Sequence, residues 1–410
     1  MQAIQILWLV MWGLWPAAMM SQMVPDSYAL VGVHLVLVDQ EKIDSSKTVL
    51  ITNGKIEAIF DADTTIEDRY KIIKLDDAFL LPGMIDVHTH LSSFTSAKIA
   101  LHSGVTTIRT AGVEGYQDVT MSKLVKEGYL AGPDVVPAGV YVTPHLGETA
   151  LADPRFGPLM EGVENVENLR LMVRINADRG AKVIKTRGTE RAGRPETDPR
   201  KQTYSRLELE AVVEEANKYN LPVMIHAHGD EGSRAAVLAG ARSIEHGTFL
   251  TETTLKLMAA RGTFLVPTFI TLIDLVEPGG DYDQPVVNMR GRYMIPKSEA
   301  MIRKAMELGV KIATGADNRY LEKSLSRVSM EAMHFVRLGM TPWEALKTVS
   351  INGAELLEIS DQTGRIAIGV EADLIAVLDN PVDDIKTLQD VVVVISNGYE
   401  VINRLPFGKD

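Results

Sequence analysis

Two kinds of hydrophobic pattern alternate along the chain and divide it into three parts. Residues 28–81 alternate apolar and polar positions in short runs such as LVGVHLVLVD and TVLITNGKIEAIF, as strands with one buried face do. From about residue 83 to residue 357, short β-rich runs alternate with longer helical ones, which is typical of βα units around a parallel sheet. Strand-like runs then return as GRIAIG, ADLIAVLD and VVVVISNGYEVI. The pattern therefore predicts a central βα region between two strand-rich ends.

The central region contains eight candidate strands, the number that closes a (β/α)8 barrel. They are residues 84–90, 105–111, 135–142, 182–187, 222–228, 242–247, 263–269 and 311–317. We expect the fold class to be α/β, with a TIM barrel flanked by a β-sandwich to which both chain ends contribute. The predicted domains are residues 25–82 and 361–410 for the two halves of the β-sandwich, and residues 83–360 for the barrel.

The first 24 residues form a separate segment. Residues 1–20 carry no charged side chain, and Pro16, Ala17 and Ala18 resemble the small-residue end of a secretory signal. This predicts a signal peptide and a secreted or periplasmic protein. Because no Lys or Arg precedes the apolar run, an uncleaved membrane anchor is the alternative.

Charge and composition narrow the possible functions. The net charge of −12 argues against nucleic acid as a partner and against a polybasic membrane surface, which leaves a small molecule as the expected partner. The sequence has no Cys, so any metal has to be bound by His, Asp, Glu or a modified Lys.

The strongest chemical signal is the motif LPGMIDVHTH. His88 and His90 are two residues apart on a predicted strand, so both imidazoles point to the same face, which in a barrel is the interior. They also lie at the carboxyl end of the strand, where barrel active sites form. A converging pair of neutral imidazoles suits zinc or a similar ion, whereas a pair of packed histidines is the alternative.

Further polar residues end other predicted strands. His226, His246 and Asp317 each end one; a lone histidine on an apolar strand is more often a core residue, but the coincidence on several strands favours a shared site. Lys185 ends the fourth strand, where a free ammonium would be costly to desolvate. Carboxylation of Lys185 would remove that cost. A salt bridge to a loop carboxylate would remove it too, and the residue chemistry leaves both possibilities open.

Together these motifs resemble the amidohydrolase superfamily. The matching text is PG-ID-H-H, the VIK strand, HAHG, SIEHG, the strand ending at Asp317 and the closing GRIAIGVEADLIAVLDNP, and it covers about residues 28–405. The similarity is greatest to the imidazolonepropionase-like branch that includes metal-dependent dipeptidases and prolidases. Membership would imply a barrel flanked by a β-sandwich, and a homo-oligomer.

The resemblance also implies a centre of two divalent metal ions, zinc being the expected metal, held by six residues: His88, His90, Lys185, His226, His246 and Asp317. His88 and His90 would bind the more buried metal, and His226 and His246 the second. Lys185 would be carboxylated and bridge the two. Asp317 would be both a ligand and the proton shuttle.

The expected activity is hydrolysis of a C–N amide bond in a small carboxylate-bearing amide, such as a dipeptide or an N-acyl amino acid. Water activated by two cations is a nucleophile at neutral pH, and Asp317 could accept its proton and pass it to the leaving nitrogen. One alternative is a mononuclear cyclic-amide hydrolase or deaminase of the imidazolonepropionase type, without a lysine bridge. An alternative of another class is a secreted barrel that binds a ligand without turnover.

Substrate recognition is expected from the loops that follow the strands. His228, two residues after His226, could hold a substrate carboxylate or an oxyanion, and His145 follows the third strand. The loop TRGTERAGRPETDPRKQ carries Arg187, Arg191 and Arg194, any of which could clamp a carboxylate. A packing or solvated position is the alternative for each of these residues.

Overall fold

The computed structural model describes residues 23, 25–163, 165–279, 283–324 and 327–405, and in that part strands occupy both ends while strands and helices alternate between them. The strands are β1 Tyr28–Leu37, β2 Lys42–Thr52, β3 Lys55–Asp61, β4 Lys71–Lys74, β5 Phe79–Pro82, β6 Met84–Thr89, β7 Val105–Thr110, β8 Asp134–Val136, β9 Ile184–Arg187, β10 Val223–Ala227, β11 Ser243–His246, β12 Phe264–Val266, β13 Leu374–Val377, β14 Val393–Ser396 and β15 Tyr399–Asn403. The α-helices are α1 Phe94–His102, α2 Gln117–Lys126, α3 Val166–Arg179, α4 Arg206–Asn217, α5 Asp230–Ala239, α6 Glu252–Arg261, α7 Phe269–Asp274, α8 Pro285–Glu307, α9 Val328–Leu338, α10 Pro342–Thr348 and α11 Ile351–Leu357. This order confirms the predicted α/β class.

Strands from the two chain ends form one sheet. Its order is β15-β14-β13-β5-β1-β2-β3, with β4 also paired to β1, and the antiparallel pairing of β13 with β5 joins the C-terminal strands to the N-terminal ones. All eight of these strands belong to a single branched sheet, and its packing as a β-sandwich stays a prediction. The branch arises at β1, which pairs with β2 along one edge and with β4 and then β5 along the other. Leu30, Val49 and Leu374 contribute to one apolar core that both chain ends share.

Two Asn-Gly turns meet where the chain ends join. Asn53 and Gly54 connect β2 to β3, Asn397 and Gly398 connect β14 to β15, and all four residues have positive φ, as type I′ turns require. Ala372 links the turns, because its N–H donates to the Gly54 carbonyl at 2.8 Å and its carbonyl accepts from the Gly398 N–H at 3.1 Å. A Cβ atom on Gly398 would lie 2.3 Å from the Gly54 Cα. The second turn can therefore approach the first only because position 398 is glycine.

The central region contains two parallel sheets, one of β6-β7-β8 and one of β12-β11-β10-β9. Seven of the eight predicted strands are present in them. The third is shorter than predicted and ends at Val136, because Pro137 has no N–H for the ladder and Gly139 turns the chain with a φ of 65°. The seventh also ends early, and Phe269, predicted to be its last residue, begins α7 instead.

The eighth predicted strand, residues 311–317, is not a regular strand, but its backbone lies between β12 and β6. The N–H of Leu265 donates to the Lys311 carbonyl at 2.9 Å, and the N–H of Asp317 donates to the His88 carbonyl at 2.7 Å. Between β8 and β9, the N–H of Val142 donates to the Lys185 carbonyl at 2.9 Å. Hydrogen bonds thus connect the two sheets on both sides.

Two of the helices in the described residues begin at capping boxes. Ser205 with Glu208 at the start of α4, and Thr341 with Glu344 at the start of α10, form capping boxes in which each side chain binds the other residue's backbone N–H. None of the helices in the described residues is long and apolar enough to cross a membrane. Apart from Met23, the predicted signal segment lies outside the described residues.

The close approach of the two turns predicts that a methyl group added at position 398 destabilises the fold. Gly398→Ala should lower the apparent unfolding temperature more than Gly262→Ala does. Both glycines have positive φ, so in both variants an alanine in the left-handed backbone region costs about 1 to 2 kcal/mol. A Cβ at position 262, however, meets no atom within 4 Å. Thermal unfolding followed by circular dichroism would measure the difference. Equal losses in the two variants would mean that the two turns separate without cost.

Candidate metal centre

The six predicted ligand residues line one cavity of about 250 Å³ at the carboxyl ends of the parallel strands. They are His88, His90, Lys185, His226, His246 and Asp317. The structure therefore brings the six residues together, whereas their binding of a metal stays a prediction.

Backbone pairing places Asp317 beside the first two histidines. The N–H of Asp317 donates to the His88 carbonyl at 2.7 Å, and the N–H of His90 donates to the Asn318 carbonyl at 2.8 Å. The Asp317 Oδ1 consequently lies 3.4 Å from the His88 Nε2 and 3.2 Å from the His90 Nε2. One carboxylate oxygen and two imidazole nitrogens thus converge on a common point.

A second group of imidazoles lies next to the first. The rings of His226 and His228 lie 4.5 and 4.6 Å from that of His246, and ligand atoms of the three histidines fall within 4.8 Å of one another. His246 belongs to both groups, since its ligand atom also lies within 4.8 Å of those of His88 and Asp317. The geometry therefore allows His228, predicted as a substrate-binding residue, to be a ligand as well.

Left-handed backbone turns aim several of these side chains. His246, Thr268 and Asp317 end or follow three neighbouring strands and have φ values of 75°, 46° and 45°. Residues other than glycine adopt this region at a cost of about 1 to 3 kcal/mol and do so most often at functional sites. The conformations that direct His246 and Asp317 into the cavity therefore lower the stability of the fold.

The hydrogen bonds of His88 and His90 fix which ring nitrogen is free. The His88 Nδ1 lies 2.6 Å from the Glu245 Oε2, and the His90 Nδ1 lies 2.9 Å from the Gly112 carbonyl oxygen. Because both acceptors lack protons, each Nδ1 carries the hydrogen and each Nε2 presents a lone pair to the cavity.

His246 and His226 are fixed in the same way. The His246 Nδ1 lies 2.6 Å from the Thr268 Oγ1, whose own proton is donated to the Pro267 carbonyl, so this imidazole is the donor and its Nε2 is free. His226 has the opposite arrangement, because its Nε2 lies 3.1 Å from the Glu190 carbonyl oxygen and its Nδ1 is left free. Four lone pairs are therefore available to a cation.

Electrostatics also suit a cation. Burial lowers the pKa of His90, and it lowers the pKa of His226 and His246 further, so all three are neutral near pH 7. Burial disfavours the charged form of Asp317, but the neighbouring imidazoles, His88 first, hold its pKa well below the usual range. Neutral imidazoles with one carboxylate form a donor set typical of zinc and similar divalent ions.

Lys185 is one of the buried polar residues that line this cavity. Its side chain is 2% exposed, and its Nζ has no hydrogen-bond partner among the described residues. Burial lowers the pKa of Lys185 to about 8. A buried ammonium without a partner is costly, so a bound or covalently attached anionic group would relieve the strain at this position.

Beneath the cavity lies a buried ion pair that the sequence analysis did not predict. Arg109 is 2% exposed, and its Nη2 donates to the Glu245 Oε1 at 2.9 Å while its Nε donates to the Val87 carbonyl. Burial disfavours the Glu245 carboxylate, but Arg109 and His88 outweigh that cost and lower its pKa to about 2. Glu245 therefore stays charged and orients His88 from below.

An outer cavity of about 1110 Å³ opens next to the inner one. His145 and Arg187, predicted to bind substrate, line the outer cavity and lie outside the lining of the inner one, whereas Arg191 and Arg194 line both. The Arg187 guanidinium lies over the Tyr141 ring, 5.0 Å from its centroid.

Two residues that line both cavities were missed by the sequence analysis. Arg319 lies two residues after Asp317, which would have indicated the same side of the chain. Tyr141 lies near the end of the predicted third strand, and its buried hydroxyl has no hydrogen-bond partner among the described residues. Both are therefore available to a ligand.

A third group of possible ligands lies elsewhere in the fold. Asp134, Glu371 and Asp373 converge beside a cavity of about 720 Å³ at the amino ends of the strands. Burial raises the pKa of Asp134 to about 8 and that of Asp373 to about 6, so shared protons account for the close approach of these carboxyl groups.

Imidazoles and a carboxylate gathered at the carboxyl ends of parallel strands are the arrangement of α/β enzymes that use polar side chains on several strands for one reaction. The chain belongs to the amidohydrolase family, whose sequence model matches residues 79–401. The family expected from the motifs is thereby confirmed.

Two relatives show how the similarity extends along the chain. Ochratoxinase from Aspergillus niger is 29% identical over 387 residues, which cover 83% of this chain and 79% of that protein. Imidazolonepropionase from Acinetobacter baumannii is 30% identical over 206 residues, which cover 48% of this chain and 47% of that protein.

Two solved structures show the same similarity at the level of the fold. A crystal structure of a Xaa-Pro dipeptidase with methionine bound in its active site matches with a TM-score of 0.81 at 28% identity, over 92% of this chain and 100% of that one. The crystal structure of the A. niger ochratoxinase matches with a TM-score of 0.77 at 25% identity, over 93% and 96% of the two chains. The protein is therefore a hydrolase of this family.

The buried ion pair between Arg109 and Glu245 predicts that the losses of unfolding free energy in its two single variants are not additive. Arg109→Met or Glu245→Gln alone should lower the free energy of unfolding by about 3 to 5 kcal/mol, because each leaves a partner buried without its counterpart. The double variant should lose less than the sum of the two single losses. Urea denaturation of all four proteins would measure the coupling, and additive losses would contradict the interaction.

Proposed function

We propose that this hydrolase is a binuclear metal-dependent amidohydrolase that cleaves the C–N bond of a small carboxylate-bearing amide, such as a dipeptide or an N-acyl amino acid. The observation that carries the proposal is Lys185, a buried lysine without a partner among four histidines with free ring nitrogens and an ionised aspartate. Carboxylation would replace the costly buried ammonium of Lys185 with an anionic group that could bind a cation.

We propose further that the two parallel sheets and residues 311–317 form one (β/α)8 barrel. The hydrogen bonds of Lys311 and Asp317 to neighbouring strands support this, and so does the bond between Val142 and Lys185 on the opposite side. A barrel would bring the six candidate ligands to its carboxyl mouth from different strands.

In this proposal His88, His90 and Asp317 would hold one ion, His226 and His246 would hold the other, and carboxylated Lys185 would be a ligand shared by both. Two such ions, zinc being the one that best suits these donors, would polarise the scissile carbonyl and lower the pKa of a bound water. Asp317 is charged and lies at the point where the two groups meet, so it is placed to take a proton and return it to the leaving nitrogen.

Two other residues could donate hydrogen bonds to the reacting amide. The Tyr141 hydroxyl is buried without a partner and lies at the junction of the cavities, where it could donate to the developing oxyanion. His228 stacks on His246 with ring centroids 4.6 Å apart and could do the same, or could complete the ligand set.

The guanidinium groups around the opening favour a carboxylate-bearing substrate. Arg194 and Lys201 have carboxylate partners in Glu196 and Glu190, whereas the described residues give Arg191 and Arg319 no ion pair. These two residues line both cavities and could bind a substrate carboxylate while its amide lies in the inner cavity. A relative named as a Xaa-Pro dipeptidase supports the dipeptide class.

Metal analysis would test the binuclear centre. Protein purified without chelator should contain two divalent ions per chain, and Lys185→Ala should contain one or none and lose turnover of an N-acyl amino acid by at least about a hundredfold. Lys182→Ala is the matched control, because Lys182 is exposed near the start of the same strand. One ion per chain, unchanged in Lys185→Ala, would replace this proposal with the mononuclear alternative.

Substrate pairs would test the carboxylate preference. Arg191→Met or Arg319→Met should raise the KM for an N-acyl amino acid about tenfold or more, but not for the same compound with its carboxylate converted to a neutral amide. Arg200→Met is the control in the same loop, because Arg200 is exposed and paired with Asp198. Equal effects on both substrates would show that these arginines do not read the carboxylate.

A further inference from the structure

The loop after β9 forms a wall shared by the two cavities. Its base is closed by the antiparallel bridge of Thr189 with Gln202 and by the Thr203 N–H, which donates to the Gly188 carbonyl at 2.8 Å. Between these anchors the chain runs out to a tip at residues 191–197 and returns. Because the base is held by β-type pairing, the tip is the part whose position needs a separate explanation.

The tip carries the side chains that reach the cavities. Arg191 and Arg194 line both cavities, and Gly193 lines the inner one. Within the tip, the Thr197 hydroxyl lies within hydrogen-bond distance of the Arg191 and Arg194 carbonyl oxygens. The tip has one buried residue, Ala192, and three consecutive exposed residues, so its conformation depends largely on hydrogen bonds.

The side chain of Arg290, which lies on another element, binds this tip. The Arg290 guanidinium, on α8, donates to the carbonyl oxygens of four tip residues, at distances of 2.5, 2.8, 3.3 and 2.6 Å: Ala192, Arg194, Pro195 and Thr197. All the hydrogen-bond partners that the structure gives for Arg290 are thus backbone oxygens of one loop. A planar guanidinium with five donors can satisfy such a spread of acceptors, whereas an ammonium group cannot.

Helix packing fixes the position of Arg290. The next residue, Gly291, lies where a Cβ would come within 2.9 Å of the Leu275 side chain, so α8 is pressed against the end of α7 at this point. Leu272 and Leu275 line the inner cavity from that side. Arg290 therefore connects the wall that follows β12 to the loop that follows β9 across the mouth of the site.

We propose that Arg290 is a positioning residue for substrate recognition, which holds the tip of the β9 loop so that Arg191 faces the cavities. This inference rests on the proposed function for the substrate, but the mechanical part stands on the four hydrogen bonds alone. Arg290 lines neither cavity, so it acts through the loop and not on the substrate.

Limited proteolysis with trypsin would test whether the tip is held. In the metal-loaded protein, Arg290→Met should be cut after Arg191 at least about tenfold faster than wild type, because release of the tip exposes that bond. Arg290→Lys should be cut faster than wild type as well. Arg292→Met is the control, since Arg292 lies on the same helix, is exposed and binds the Asn288 side chain.

Kinetics on the same variants would test recognition. For an N-acyl amino acid, Arg290→Met should raise KM about tenfold with kcat changed by less than about threefold, and the matched neutral amide should show no such rise. Metal content and unfolding temperature should equal those of Arg292→Met, which separates positioning from a general loss of structure.

The two experiments distinguish the holding of the tip by Arg290 from its role in substrate recognition. Unchanged cleavage after Arg191 would overturn the holding of the tip, and faster cleavage with unchanged KM would overturn its role in recognition. If wild-type protein hydrolyses none of the amides, the proposed function and the recognition role fail together, and the trypsin result still decides whether Arg290 holds the loop.

Discussion

The ion pair between Arg109 and Glu245 is the interaction on which the geometry of the candidate centre depends. Both side chains are buried beneath the inner cavity, where an unpaired charge would be unstable. Arg109 keeps Glu245 ionised, Glu245 binds the His88 Nδ1, and the His88 Nε2 is thereby directed at Asp317. A lysine in place of Arg109 would supply the charge, but not the second and third donors that reach Val87 and Ser243.

Glu245 and His246 are consecutive residues, yet one supports His88 from below and the other lines the cavity. In a regular strand, Glu245 and His246 would point to opposite faces. Glu245 points beneath His88, and His246 reaches the cavity because its φ of 75° ends the strand and redirects the side chain. Asp317 uses the same device at the end of the irregular eighth segment. The positions of these side chains therefore depend on backbone conformations that cost stability, which the rigid network below them offsets.

This dependence marks the limit of what the sequence could predict. The hairpin at Asn53 and Gly54 and the shared face of His88 and His90 follow from local periodicity, and both are present. The sequence analysis placed His246 on the inner face of its strand. Strict alternation then puts Glu245 on the opposite face, so its contact with His88 could not be predicted. The single branched sheet, and the irregular chain after Pro137, depend on pairing between residues far apart, which periodicity does not encode. Arg109 and Arg290 were missed for a similar reason, since their partners lie on other elements.

In the proposed function, the inner cavity serves the chemistry and the outer cavity serves substrate recognition. The inner one is built from strand ends whose side chains are fixed by hydrogen bonds from below, so it tolerates little change. The outer one is built from loops that include residues 141–151 and the β9 loop. The β9 loop is attached at its base by backbone pairing, and its tip accepts hydrogen bonds from the Arg290 guanidinium. Fold similarity to an ochratoxinase and a Xaa-Pro dipeptidase at 25% and 28% identity fits this division, because different loops can be carried by one set of strands. Loops that are held at a few points can change their contacts with a substrate while the ligand geometry stays the same. Selection for a new amide would therefore act first on the loop tips and on residues such as Arg290 that position them.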